Sequence, residues 1–368
     1  MKVDDGFFGS GIWVGNKYTL IECPMCSEKN VFSFLGGEGY FECINCLKAG
    51  TWTDLLAYLS KVDWWVDKVN MRMKIDPIEG FVILDKYKAP SDVKRIQTGF
   101  SILDNIFEGF SEGALTVLTG KRGEGKSTFA SQLALNAINY GTGVAFYSGE
   151  LGASMFQNWV FTQAAGPSGV ESYKERSGAI RHRATPKSEE LIRKWMKNKF
   201  FLSDNEGAGA SEYKTILKRF KDARHYHGAR LLVVDNLMTM SYDNINENVY
   251  RRQSAFVGEL VDFAQQNKCH VILVAHPKKA TDEAGKQDEN EMVAGSADIT
   301  NRAGIVIKVE RVKDEKIQSE GCNAKIKVTK NREFGTEGTM KFFYDIPTRR
   351  FKPELGTSIT RFSWEDME

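Results

Sequence analysis

The chain has 368 residues, 42% hydrophobic and 27% charged, enough for about two domains at roughly 150 residues each. That balance excludes a disordered chain, a collagen and a disulfide-framed miniprotein. Its 50 basic and 48 acidic side chains leave +2, so any affinity for nucleic acid has to come from local clusters and not from a global positive field. No run approaches about 18 consecutive apolar residues. The start, MKVDDGFFGSG, carries aspartates where a secretory signal has a basic region and an apolar core. The expectation is a cytoplasmic protein with no membrane partner.

Cys23, Cys26, Cys43 and Cys46 fall within 24 positions, whereas Cys269 and Cys322 stand alone and are expected as small buried side chains. Residues 23–46 read CPMC, sixteen further residues, then CINC. Each pair is a tight turn that presents two thiolates to one tetrahedral ion, and in a reducing compartment such a cluster indicates Zn2+ and not disulfides. The insert SEKNVFSFLGGEGYFE alternates apolar and polar residues around Gly-Gly, which predicts a β-hairpin between two zinc knuckles. TWTDLLAYLSKV follows, with Leu55, Leu56 and Leu59 on one helical face and a cap at Thr51 or Thr53. Residues 1–63 are therefore expected to be a zinc ribbon with its helix. Residues 64–94, of mixed charge and weak periodicity, read as a linker.

From Arg95 the texture changes to apolar runs alternating with amphipathic segments, the pattern of an α/β domain over 95–350. Strands are expected at Leu115–Thr119, Val144–Ser148, Phe200–Leu202, Leu231–Val234, Val271–Ala275, Ile305–Val309, Ile326–Thr329 and Lys341–Tyr344. The first five are separated by helix-length segments and the last three by hairpin-length ones, which predicts a mostly parallel sheet with an antiparallel extension. The basic run IRHRATPKSEELIRKWMKNK reads as a solvated helix face, with contact to DNA or to another subunit as the alternative, and His182, His225, His227 and His270 read as surface or packing residues. Residues 351–368 read as a C-terminal tail whose end, RFSWEDME, is expected to be frayed, with docking on a partner as the alternative.

Residues 120–127 read GKRGEGKS, a full match to GxxxxGK[ST], between the strand ALTVLT and the helix STFASQLALNAI. Gly120, Lys121, Arg122, Gly123, Glu124 and Gly125, with Lys126, Ser127 and Thr128, form the expected ATP site. Its glycines let backbone N–H groups wrap a phosphate over a helix terminus. Lys126 is placed to reach the β- and γ-phosphates and Ser127 to bind Mg2+. Asp235, closing the apolar strand LLVVD, is the expected second carrier of Mg2+, and Glu150 in FYSGEL the base for the attacking water. His276 ends VILVAHP, where it would sense the γ-phosphate.

In this order the motifs resemble those of the RecA-core hexameric replicative helicases of DnaB and Twinkle type, phage primase–helicases included. The resemblance runs from TGFSILDNIFEGFSEGALTVLTGKRGEGKST through SGEL, LLVVDNL, VAHPKK, GSADITNRAG and KVTKNREFGTEG, roughly 70% of the chain. It implies an α/β, RecA-like P-loop NTPase core, a ring of identical subunits on single-stranded DNA, and ATP at each subunit junction. Lys330 and Arg332 would enter the neighbour's site, the arginine stabilising charge that develops on the γ-phosphoryl group. A ring helicase must also grip DNA on channel loops. The loop after His276 suits this, with Lys278, Lys279 and Lys286 as phosphate contacts, the amides of Gly295 and Ser296 assisting, and Arg251 and Arg252 as the next candidates.

The ribbon resembles the zinc module of bacterial and phage primases, yet only about 50 residues lie between its last cysteine and the ATPase, too few for a polymerase domain. Through Asp63 it holds five basic against eight acidic residues, a poor electrostatic grip on phosphates. Other replication proteins are the alternative partners. Two rival readings remain at this stage. A RadA-like recombination ATPase shares a four-cysteine ribbon, a RecA core and a KNR-like motif, although the chain ends soon after residue 345 and lacks that family's additional domain. A nucleotide-switched loading module would use ATP to assemble without unwinding.

Overall fold

The structure, a computed structural model, describes residues 11–14, 17–35, 40–59, 61, 84, 94–207, 209–241, 249–276, 297–312, 322–353 and 360–367. The chain divides into two compact units, 1–90 and 91–368.

In the first unit five antiparallel strands lie in chain order: β1 (Gly11–Val14), β2 (Lys17–Glu22), β3 (Lys29–Leu35), β4 (Tyr40–Cys43) and β5 (Ala49–Thr51). Strands β3 and β4 are the hairpin expected between the knuckles, and β1, β2 and β5 extend it. Phe32 stacks on Phe41 at 5.5 Å, and Tyr18, Leu20 and Phe34 complete a small core. Helix α1 (Trp52–Leu59) closes it with buried Leu55 and Leu59. Asp54 accepts from both the amide and the hydroxyl of Thr51, at 2.8 Å each, so Thr51 is the cap.

The second unit begins with a two-stranded pair, β6 (Arg95–Ile96) and β7 (Phe110–Ser111), around helix α2 (Ser101–Phe107). Its main sheet holds β8 (Leu115–Thr119), β9 (Gly143–Ser148), β12 (Phe200–Leu202), β13 (Ala229–Asp235), β14 (His270–Val274), β15 (Ile305–Arg311), β16 (Ala324–Asn331), β17 (Gly338–Asp345) and β18 (Arg350–Pro353). The spatial order is β12-β9-β13-β14-β8-β15-β16-β17-β18. Strands β12 through β15 run parallel and the last three antiparallel. The sixth strand from sequence, at Ile305, thus belongs to the parallel core, while β18 adds a strand that its four residues were too short to announce.

Helices cover both faces. On one side lie α3 (Lys126–Asn139), α4 (Ala153–Gly169) and α5 (Pro186–Met196), on the other α6 (Tyr213–His227), α7 (Val249–Asn267) and α8 (Ala297–Arg302). Helix α3 is buried almost throughout, consistent with its small residues Ala130, Ser131, Ala134 and Ala137 against the sheet. Helix α4 breaks at Gly166, φ 62°, just before Pro167. Cys269 and Cys322 are buried, as expected.

Two expectations need correction. The basic run is not one helix face. Its first five residues are β11 (Ile180–Ala184), paired antiparallel with β10 (Val170–Lys174) in an exposed hairpin, and Thr185 then caps α5, accepting from the Ser188 amide at 3.2 Å. A strand polar on both sides carries no apolar alternation to betray it. The tail is not frayed either. Phe362 stacks on Trp195 at 5.2 Å, and buried Trp364 donates its indole N–H to the Ala164 carbonyl at 2.9 Å.

Candidate active site

Parallel register sets the carboxyl ends of the central strands level. Val274 lies beside Leu118, and Asp235 beside Ser148. A ligand in an open α/β sheet belongs at such an edge, where the order of strands reverses. The loop after β8 follows from its glycines. Gly120, Gly123 and Gly125 take φ of +146°, +80° and +93°. A side chain at Gly120 would collide with the Val309 carbonyl, and one at Gly125 would meet the Phe351 ring at 3.0 Å. The Glu124 carboxylate accepts from the Lys121 amide at 2.8 Å, which braces the loop.

Lys126 opens α3 with its ammonium on the Lys121 carbonyl at 2.9 Å, and burial lowers its pKa. Next to it the Ser127 hydroxyl donates to Asp235, whose pKa burial raises to about 6. Asp235 is only 4% exposed, and its Oδ1 has no hydrogen-bond partner. An orphaned buried carboxylate oxygen beside a hydroxyl is the hard-oxygen donor pair that Mg2+ takes, its other positions going to phosphates and water. These two residues fit the cation.

Three side chains from three strand ends meet next. Glu150 follows β9, Asn236 follows β13 and His276 follows β14. The Asn236 amide donates to Glu150 Oε1 at 2.6 Å and stands 3.2 Å from His276 Nε2, which lies 3.7 Å from the same carboxylate oxygen. Burial, then the charge of Lys126, lowers the His276 pKa. Sequence reasoning reached Glu150, Asp235 and His276 but missed the asparagine between them, although it directly follows LLVVD.

The cavity over this cluster holds about 520 Å³. Thr128 lines its phosphate end; Arg122, Trp159, Arg311 and Tyr344 stand around the rest. Arg311, at the end of β15, lies 4.0 Å from the Tyr344 ring, and one of its buried guanidinium nitrogens has no hydrogen-bond partner. Arg349 covers Trp159 at 3.9 Å. Arg122 belongs to the phosphate-loop motif, but no motif flags Trp159, which comes from helix α4, or Arg311 and Tyr344, which come from strands far along the chain.

Lys330 and Arg332 do not line this cavity. Lys330 donates to the carbonyls of Thr300 and Asn301 at 2.6 and 3.1 Å, and Arg332 also donates to Asn301. Both thus sit at the carbonyl end of α8. Arg95 grips Glu333, the next residue, through two nitrogens and fixes this turn to β6. Arg251 and Arg252 fall on the first turns of α7. The proposed DNA contacts Lys278, Lys279, Lys286, Gly295 and Ser296 lie outside the described residues.

In the first unit the sulfurs of Cys23, Cys26, Cys43 and Cys46 lie within 4.8 Å of one another. Cys26 and Cys43 are 3.8 Å apart, about the edge of a tetrahedron with metal–sulfur bonds near 2.3 Å. The two knuckles repeat one geometry. The amides of Cys23 and Cys43 donate to the carbonyls of Glu28 and Lys48, five residues on in each case, at 2.8 Å, and Ser27 and Leu47, one residue past each pair, both take φ 57°. Four thiols so arranged can hold one tetrahedral metal ion.

The parallel sheet, phosphate loop and Ser127–Asp235 pair define an α/β P-loop NTPase with a RecA-like core. The family model described as "DnaB-like helicase C terminal domain" matches residues 95–353, and the chain belongs to that family. Over 232 residues it is 26% identical to the Twinkle homolog protein, chloroplastic/mitochondrial, of Arabidopsis thaliana, covering 60% of this chain and 31% of that one. Over 322 residues it is 21% identical to the replicative DNA helicase DnaB of Helicobacter pylori, covering 81% and 64%. It therefore spans between about a third and two thirds of these relatives. Among solved structures it resembles a DnaB-like replicative helicase, solved with its interactions with primase, with TM-score 0.57, 14% identity and coverage of 82% of this chain and 70% of that one. A second solved chain, an isolated ATPase domain, gives TM-score 0.58 at 15% identity over 79% and 98%. Among the described residues no helix is long and apolar enough to cross a membrane.

Proposed function

We propose that this chain is an ATP-driven DNA helicase that translocates on single-stranded DNA in replication, as a ring of identical subunits and, by the family pattern, a hexamer. The observation that carries the reading is the Asn236 amide, set between Glu150 and His276 and beside the Ser127–Asp235 pair. In this reading Ser127 and Asp235 hold Mg2+, which supplies charge neutralisation at the β- and γ-phosphates, and Lys126 adds a second positive charge there. Glu150 takes a proton from the water that attacks the γ-phosphorus, while ADP leaves. Asn236 holds Glu150 and His276 in one hydrogen-bonded unit, so departure of the phosphate is felt at the loop that follows His276. Arg311 and Tyr344 suit the base of the nucleotide, whose flat face matches an aromatic ring and a guanidinium.

Arg332 and Lys330, away from their own cavity, act in the neighbour's. Lys278, Lys279 and Lys286 contact DNA phosphates, with Gly295 and Ser296 assisting. The four cysteines bind Zn2+ in a ribbon whose acidic balance favours a partner in the replication machinery, of the kind a primase represents, over a grip on DNA. A bacterial or phage-type setting would place the protein in the cytoplasm, although the Arabidopsis relative is named for organelles. The test is ATP hydrolysis by the full chain with and without single-stranded DNA, together with displacement of a labelled strand from a forked duplex. Stimulated turnover with displacement is expected. Hydrolysis and DNA binding without displacement would instead make the chain a nucleotide-switched loading module.

A further inference from the structure

Nine basic and four acidic side chains fall between residues 170 and 199, a net of +5 in a chain of +2, so the remaining residues sum to −3. This excess lies on one continuous piece of structure: the hairpin β10–β11, the cap residue Thr185 and helix α5. Lys174, Arg176, Arg181, Arg183, Lys187, Arg193, Lys194 and Lys197 are all exposed. Four of them face local carboxylates, in the pairs Arg181–Glu175, Arg183–Glu171, Arg193–Glu189 and Lys194–Glu190. Among the described residues Lys174, Arg176, Lys187 and Lys197 have no such pair.

Lys187 also borders a groove of about 730 Å³ with Lys352, Arg361 and Ser168. Its floor includes Arg350, only 1% exposed, whose guanidinium donates to the carbonyls of Gln163, Ala164 and Thr360 and to no carboxylate. Burial lowers its pKa to about 10. Only carbonyl oxygens accept its hydrogen bonds, while Glu365 and Asp345 act on it at longer range, so the groove has a cationic side chain in its floor. The single carboxylate lining it, Glu365, is already paired with Arg361.

We propose that this face, the β10–β11 hairpin with α5 and the groove over Arg350, is a contact surface for the phosphate backbone of nucleic acid, separate from the loop after His276. Its chemistry is that of positioning and not of base reading. Long-chain cations spaced along a hairpin and a helix suit a repeating anion, and among the groove-lining side chains Asn and Gln, which read base edges, are absent. Tyr173, 39% exposed under the Arg183 guanidinium at 5.0 Å, offers a ring on which a base can stack. The inference deepens the proposed function, since it names a second place where that DNA is held.

The experiment compares the full chain with a variant carrying Lys174→Ala, Arg176→Ala, Lys187→Ala and Lys197→Ala, none of which touches the nucleotide cavity. Binding to a fluorescent oligonucleotide of mixed sequence is measured at several salt concentrations, and assembly state by sedimentation. The variant is expected to bind DNA more weakly, independently of sequence, with the slope of log K against log[salt] flattened by up to about 0.7 per lost contact. Basal ATPase and assembly should be unchanged, and a variant with Lys174→Arg, Arg176→Lys, Lys187→Arg and Lys197→Arg should retain the wild-type slope. An unchanged slope and affinity would overturn the proposal. So would loss of assembly with unaltered DNA affinity per assembled particle, which would make the face an interface between copies of the chain. If the wild-type chain binds no DNA at all, the functional reading itself fails.

Discussion

Asn236 shows how much one amide can organise. Its Nδ2 touches Glu150 and approaches His276, so the proposed base and sensor are aligned through a side chain that itself need not touch a phosphate. Glu150→Gln should leave nucleotide and Mg2+ binding intact, because Ser127 and Asp235 are untouched, and slow hydrolysis by a hundredfold or more, roughly the worth of a general base. Loss of nucleotide binding in that variant would assign Glu150 a different role. Asn236→Ala should lower the turnover number with little change in KM. A rise in KM alone would make Asn236 a binding residue.

A second residue-scale prediction concerns acid. His270 is fully buried between the Thr116 hydroxyl at 2.9 Å and the Ser111 carbonyl at 2.8 Å, stacked on Phe110, and burial lowers its pKa to about 4. The unfolded chain takes up this proton near pH 6.5, the folded chain only near 4. Its contribution to stability is therefore complete above about 6.5 and lost as pH falls toward 4, by up to about 3 kcal/mol. The unfolding free energy of wild type minus that of His270→Asn should shrink by this order between pH 7 and 4, other groups cancelling in the difference. Parallel curves would sink the assignment.

At the scale of elements, the ribbon should depend on metal in a way the second unit does not. If the four cysteines bind zinc as proposed, metal binding and folding of β1–β5 are expected to be one equilibrium, because four thiolates brought together without an ion repel one another. About one zinc per chain is expected in unchelated protein. Cys43→Ser should abolish it while nucleotide binding by the P-loop unit persists, and a chain that holds no metal would refute the ribbon. The knuckles and the core strands are legible in the sequence because their signals are local: a cysteine spacing, an apolar run, a glycine loop. The β10–β11 hairpin is not, because both of its faces are wet. Nor is the docking of Phe362 and Trp364, since a single turn with two aromatics has no period to detect. Of the candidate site, Lys126 and Ser127 are legible from the glycine-loop motif, and Glu150, Asp235 and His276 because each ends or follows an apolar strand. Arg311 and Tyr344 become site residues only when β15 is laid beside β8 and β16 and β17 follow it in the sheet, and tertiary pairing is what a lone sequence does not print.

At the scale of the whole molecule the question is where Arg332 works. The turn that carries it is rigidly held: Arg332 bonds Asn301, its amide bonds the Gly304 carbonyl at 2.8 Å, Asn331 reaches Ile106 and Thr336, and Arg95 clamps Glu333. A guanidinium so anchored stands away from its own cavity, which is what the proposed action on the γ-phosphate of a head-to-tail neighbour requires. Arg332→Ala should therefore bind nucleotide normally and turn over poorly, whereas Lys126→Ala should be inactive at its own P-loop yet carry an intact arginine. Mixed, the two inactive proteins complement one another. In an equal mixture about one junction in four pairs a sound P-loop with a sound Arg332, as independent choice of neighbours in a heterologous ring requires. Hydrolysis should reappear on mixing, peak near equal proportions and vanish when either partner is in large excess. Absence of recovery at every ratio, in assemblies shown by sedimentation to contain both variants, would place Arg332 in its own subunit's chemistry or outside it altogether.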